Sequence, residues 1–194
     1  ENQAESNGHR WGKQIFFMGI AILGIGLFWM QKDHYKAYQQ WNKAQMFYNN
    51  KAYEAALEVY EPLYPLLKHK PEFLFEAAQS LSKTGQYEKA NEYLERAVLL
   101  SSDPMLYYVM AKNEQCLGEY RQAEKHLLHA IDILPERIYP YYLLMNLYTE
   151  PSYFQPAKLK KAIDSVLTKK PKVESSAIKE MKEKARSMLN NTSI

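Results

Sequence analysis

The sequence has 194 residues, 46% of them hydrophobic and 24% charged, with only seven Gly and nine Pro; one or two globular domains fit, and a linker-dominated chain is excluded. The net charge of +3 is too small to argue for nucleic acid. The single cysteine, Cys116, excludes an intrachain disulfide and is expected to pack as a small buried hydrophobe in a helix.

Residues 1–13 are expected to be a flexible N-terminal segment. From Gln14 to Gln31 no residue is charged, and "IFFMGIAILGIGLFWM" is almost wholly apolar. Eighteen helical residues cover about 27 Å, close to the hydrocarbon thickness of a bilayer. Trp11 and Trp29 lie near the two ends, where their rings favour an interface, and Lys13 and Lys32 can snorkel outward. The run therefore predicts a transmembrane helix over 14–31. A secretory signal fits less well, because "QKDHYKAYQQW" offers no small-residue cleavage site. A buried soluble helix would show a polar face, which this run lacks. The first residue is Glu1 rather than Met, which points to the last span of a longer, polytopic chain. Lys32, Lys36 and Lys43 after the span, against Arg10 and Lys13 before it, favour a cytoplasmic over a periplasmic C-terminal side.

Beyond the span the chain repeats itself. Tyr53, Tyr87 and Tyr120 are 34 and 33 residues apart, and Ala56, Ala90 and Ala123 keep the same spacings. Gly85 and Gly118, and Ala97 and Ala130, are again 33 apart. This period, with small residues at fixed places, resembles the tetratricopeptide repeat. The resemblance covers about 35–170, and each unit reads as two antiparallel helices. In the second unit a helix runs from about Glu72 to Lys83, and Gly85 permits the left-handed turn that ends it. Tyr87 is expected to wedge between the paired helices, and Ala90 and Ala97 to let them approach closely.

The outer units depart from the pattern. The first has Lys51 where the later units have Gly, so Asn49 or Asn50 in "YNNK" is expected to enter the left-handed region. Pro62 and Pro65 are expected to kink or shorten its second helix. The fourth has an enlarged loop, "TEPSYFQP", with Pro156 in the first turn of the helix that follows. A segment over 173–190 reads as an amphipathic capping helix, with Ala177, Ile178, Met181, Ala185, Met188 and Leu189 near one face. The expected fold is an all-α helical-hairpin solenoid of about four units plus this cap.

The connected wording is more specific. "AQMFYNNKAYEAALEVYEPLYPLLKHKPEFLFEAAQSLSKTGQYEKANEYLERA" and the ending "VLTKKPKVESSAIKEMKEKA" resemble the C-terminal repeat extension of O-antigen ligase or polymerase-like membrane proteins of Bacteroidetes. That resemblance implies a bacterial inner-membrane parent acting on lipid-linked surface polysaccharide. Its glycosyl-transfer residues would lie in membrane loops absent from this sequence, so none is carried over.

No phosphate loop, Cys pair or Ser/His/Asp order is present, so no catalytic role, cofactor or metal is expected. His126 and His129, at i and i+3 with no third ligand near, read as outward-facing surface residues. Ten Lys and Arg against four acids over 158–186 give that segment +6 and the rest −3; interspersed charges read first as a solvated helix surface. The overlapping sequons at Asn190 and Asn191 carry no meaning in a bacterial chain.

The informative surface is the concave groove, lined by one stripe of each unit's first helix. Aligning the units puts Tyr38, Trp41, Gln45 and Tyr48 there, then Glu72, Phe75, Gln79 and Lys83. The third unit adds Met105, Tyr108, Lys112 and Cys116, and the fourth Tyr139, Tyr142 and Asn146. An aromatic wall with amide and amine donors suits an extended peptide or a helix. It equally suits sugar rings, with Gln45, Gln79 and Asn146 bonding hydroxyls. Half of these aromatics are expected to be packing. The leading expectation is a membrane-tethered, non-catalytic protein-interaction module. The alternatives are a glycan-binding accessory domain and a free-standing membrane-anchored scaffold.

Overall fold

In the computed structural model the backbone is described for 2–191 and the side chains for 16–26 and 32–190. The chain is an array of paired helices. Helix α1 spans Asn2–Asn49, beginning within the segment 1–13, and its C-terminal part pairs with α2, Tyr53–Leu67. The second unit is α3, Pro71–Lys83, with α4, Tyr87–Val98. The third is α5, Pro104–Cys116, with α6, Tyr120–Ile133. The fourth is α7, Tyr139–Leu147, with α8, Pro156–Thr168, and a 3-10 turn at Pro151–Tyr153 lies in its enlarged loop. Helix α9, Ser176–Asn191, closes the array.

The transmembrane expectation is corrected. Among the described residues no helix is long and apolar enough to cross a membrane, so the inner-membrane placement built on that span falls with it. The part of the run whose side chains are described, 16–26, is exposed. The remainder of 14–31 lies outside the described side chains.

Sequential helices touch along the whole array, and α1, α3, α5, α7 and α9 also touch in succession. These first helices form one wall, and α9 takes the place of a first helix at its end. Ala56, Ala90, Ala97, Ala123 and Ala130 have no exposed surface, so neighbouring helices meet at these small residues. The buried side chains form two cores. One holds Tyr60, Phe73, Leu81 and Leu94; the other holds Leu127, Leu143, Leu159 and Ile163. Helix α5 serves both, giving Leu106 and Met110 to the first and Tyr108 and Ala111 to the second.

The turns follow the repeat register. Gly85 and Gly118 have φ of +81° and +77°, the left-handed region glycine enters without strain. In the first unit Lys51 takes that conformation, with φ +61°, instead of Asn49 or Asn50. Lys51 occupies the position that is Gly in the later units, so the hairpin geometry prevailed over side-chain preference. Asp103 caps α5 by accepting a hydrogen bond from the Met105 amide at 2.9 Å. Helix α2 runs through Pro62 and Pro65 without ending. Both prolines are exposed, as are Glu58 and Glu61 one turn earlier, so the carbonyls left without an amide partner reach water. In α9, Ile178, Met181, Ala185 and Met188 pack inward, whereas Ala177 and Leu189 are exposed.

Candidate functional site

The sequence-read groove residues divide into two sets. Trp41, Gln45 and Tyr48 from α1 are bound to the next unit. Trp41 Nε1 donates to Glu76 at 2.6 Å, and Gln45 Nε2 donates to the other carboxylate oxygen at 2.8 Å. Tyr60 donates to Glu76 at 3.1 Å from α2, and the Tyr48 hydroxyl donates to the Gln79 side chain. Burial, reinforced by Glu76, raises the pKa of the Tyr48 and Tyr60 hydroxyls. These residues join α1, α2 and α3. The amides of Gln45 and Gln79, expected to meet sugar hydroxyls, already have partners. Glu76 was not among the sequence candidates; a lone acid on a helix carries no periodic signal.

The third and fourth units differ. Tyr108 is largely buried, 4% exposed, with its ring 5.1 Å edge-on from Tyr139, so most of its surface packs and little faces the groove. Burial raises the pKa of its hydroxyl, opposed by the nearby charge of Arg137. Met105 is 42% exposed, and Lys83 and Lys112 are exposed. Lys112 Nζ lies 5.6 Å over the Tyr139 ring. Tyr139 stacks on Tyr142 with centroids 6.5 Å apart, and Lys184 Nζ from α9 lies 5.4 Å over Tyr142. Phe75 is half-buried against the first core, Glu72 is exposed, and Tyr38 is 37% exposed beside Trp41. Asn146 Oδ1 is buried without a hydrogen-bond partner.

A hollow of about 460 Å³ opens between α3, α5 and α7, lined by Gln79, Lys83, Tyr87, Met105, Tyr108, Lys112, Cys116 and Tyr139 among others. Among the described residues no carboxylate lines it. Cys116 is exposed here, not buried as expected. Tyr87 lines the same hollow as Cys116 of the next unit, and that neighbouring thiol raises the pKa of its hydroxyl.

The other faces hold structure that periodicity does not disclose. His126 is not a free surface residue: its Nδ1 lies 2.9 Å from the carboxylate of Glu114, which is 3% exposed, and Tyr107 packs against both His126 and His129. Asn113 donates to Asn91 at 2.8 Å across the second and third units. Glu124 on α6 accepts from Tyr148 at 2.6 Å, Tyr153 at 2.7 Å and Lys158 at 2.7 Å. Burial works against its charge, but these donors outweigh it and hold its pKa below the usual value. Tyr153 comes from the enlarged loop, so that loop latches the fourth unit to the third. Among the described residues no three His, Cys, Asp or Glu gather as a metal site.

Helical hairpins at a 33–34-residue period, small residues at their contacts and left-handed turns at fixed places define a tetratricopeptide-like solenoid. The family model described as anaphase-promoting complex, cyclosome, subunit 3 matches residues 49–130. The fold is shared with MamA of Desulfovibrio magneticus, at 19% identity and a TM-score of 0.62, covering 82% of this chain and 98% of that one. It is also shared with the Yersinia enterocolitica type III secretion chaperone SycD in complex with a peptide of the translocator YopD. There the identity is 19% and the TM-score 0.51, covering 64% of this chain and 90% of that one. No curated protein matches. The resemblance to O-antigen ligase-like proteins is not carried by any of these likenesses.

Proposed function

We propose that this chain is a non-catalytic interaction module that holds a protein or peptide partner in its concave groove. The observation that carries the reading is the hollow between α3, α5 and α7. There exposed Met105, Lys83 and Lys112 surround the half-buried Tyr139 on a wall of rigid helices. Aromatic and apolar anchors flanked by cations suit an extended segment that brings its own backbone donors and acceptors. The likeness to a chaperone seen with a peptide supports the same class of partner. A place beside a surface-polysaccharide enzyme is the finer part of this proposal and rests on the resemblance in wording alone. Glycan binding is the weaker alternative, because the Gln45 and Gln79 amides are engaged within the fold.

Site-specific photo-crosslinking tests the proposal. A photoreactive residue replacing Met105 is expected to capture a defined partner. The same residue replacing Leu99, which is 83% exposed at the far end of α4, is expected not to. Equal capture from both positions would remove the groove from the argument.

A further inference from the structure

We propose that the groove selects an acidic partner: an extended segment whose carboxylates meet Lys83, Lys112 and Lys184 while its apolar side chains rest on Met105, Tyr139 and Tyr142. The inference rests on the interaction-module reading and adds the chemical class of the partner. Lys112 and Lys184 enclose a stacked tyrosine pair from opposite ends, at 5.6 Å from the Tyr139 ring and 5.4 Å from the Tyr142 ring. They come from different helices, α5 and α9, which brings cations from distant parts of the chain to one strip of the wall. Among the described residues none of Lys83, Lys112 and Lys184 has a carboxylate partner, whereas Lys89, Lys158 and Lys169 do.

Charge complementarity follows from the distribution of acids. The Glu76 carboxylate of α3 is already held by Trp41, Gln45 and Tyr60. Among the described residues no acid lines the hollow beside Lys83 or Lys112. An ammonium over a ring keeps most of its donors pointing outward, so its position is fixed while its charge stays available. An incoming carboxylate therefore finds positioned cations beside apolar contact area. A basic segment would meet repulsion there, the exposed acid of the same stripe, Glu72, standing three turns of α3 before Lys83.

Fluorescence anisotropy with the full chain decides this, using short labelled peptides that alternate Leu with Glu, Gln or Lys. The Glu/Leu peptide is expected to bind tightest and to weaken with added salt. The doubly reversed variant Lys112→Glu, Lys184→Glu is expected to bind it about tenfold more weakly, attraction having become repulsion at two contacts. Lys112→Arg, Lys184→Arg should retain binding, as should Lys125→Glu on α6. Circular dichroism confirms that each variant is folded. If Gln/Leu binds as tightly as Glu/Leu and the reversal changes nothing, the acidic preference is overturned and the interaction module stands. If no peptide binds, both fall. Reversal-sensitive binding of a single-stranded RNA oligomer in place of the peptides would overturn the partner class.

Discussion

Trp41 Nε1 lies 2.6 Å from a carboxylate oxygen of Glu76, thirty-five residues further along the chain. This bond and the Gln45 and Tyr60 bonds to the same carboxylate make Glu76, on α3, the shared acceptor of donors from α1 and α2. Glu76→Ala leaves three donors without an acceptor. With Trp41 and Gln45 only half-buried, water recovers part of the loss, and the expected destabilisation is about 2 kcal/mol. Glu76→Gln, which keeps an acceptor and loses the charge, should cost about 1 kcal/mol. Urea denaturation measures both, and an unchanged midpoint in Glu76→Ala would reduce the cluster to a surface contact.

Lys51 and Gly85 have the same backbone conformation with opposite consequences. Lys51→Gly removes the left-handed penalty of about 1–2 kcal/mol but adds freedom to the unfolded chain worth up to about 1 kcal/mol. A net stabilisation of about 0.5 kcal/mol is expected. Gly85→Ala should destabilise by about 1 kcal/mol through φ alone, because a methyl group there meets nothing within 4 Å. Thermal melts of the two variants should shift in opposite directions.

Glu124 makes stability depend on acid. Its folded pKa lies below its usual value, so its contribution is present above the unfolded pKa of about 4.3. That contribution is lost as pH falls through the lower, folded value. The stability difference between the parent chain and Glu124→Gln is therefore expected to be largest near neutrality and to shrink steadily below about pH 4. A difference independent of pH would assign the effect to packing.

The tyrosines act at the other end of the scale. Burial pushes Tyr93 up to about 12; burial and the bond to Glu124 push Tyr153 up to about 12. Burial beside Glu124 and Glu76 raises Tyr148 and Tyr60 as well. A group raised on folding contributes stability that is complete below its unfolded pKa of about 10 and lost as pH rises through the folded value. Ultraviolet titration of the 16 tyrosines should show a fraction that ionises only together with loss of helix. Smooth ionisation of all of them near pH 10, with helicity intact, would contradict the packing at these seams.

Ala123 has no exposed surface in the hairpin of α5 and α6. Ala123→Leu forces a larger side chain into a closed helix contact and should cost about 1–3 kcal/mol. Ala177→Leu, on the exposed side of α9, is the matched control and should leave the melting temperature unchanged.

The repeat was legible because its scaffold is periodic. Gly85, Gly118 and the alanines recur at fixed spacing since every hairpin has the same turn and the same close contact. Lys51 followed that register against its own preference, which shows how strongly position governs the turn. The joints between units were not legible. Glu76 and Glu124 each occur once, and an isolated acid on a helix reads as solvated until its donors are brought from other helices by folding. Tyr108 shares the groove stripe with Phe75 in the alignment, yet Tyr139 of the next unit covers it; burial there depends on what the neighbouring unit places opposite. The apolar run 14–31 had length and hydropathy in its favour, yet among the described residues no helix is long and apolar enough to cross a membrane.

Helix α5 has one further consequence. It lends alternate residues to two separate cores, Leu106 and Met110 to one, Tyr108 and Ala111 to the other. The two halves of the array are thus hung on opposite sides of a single beam. A tilt of that beam would swing Lys112, anchored on it, relative to Lys83 on one side and Lys184 on the other. The gauge of the groove, the spacing between its outermost cations, is set by how the two cores balance against each other across thirteen residues of helix.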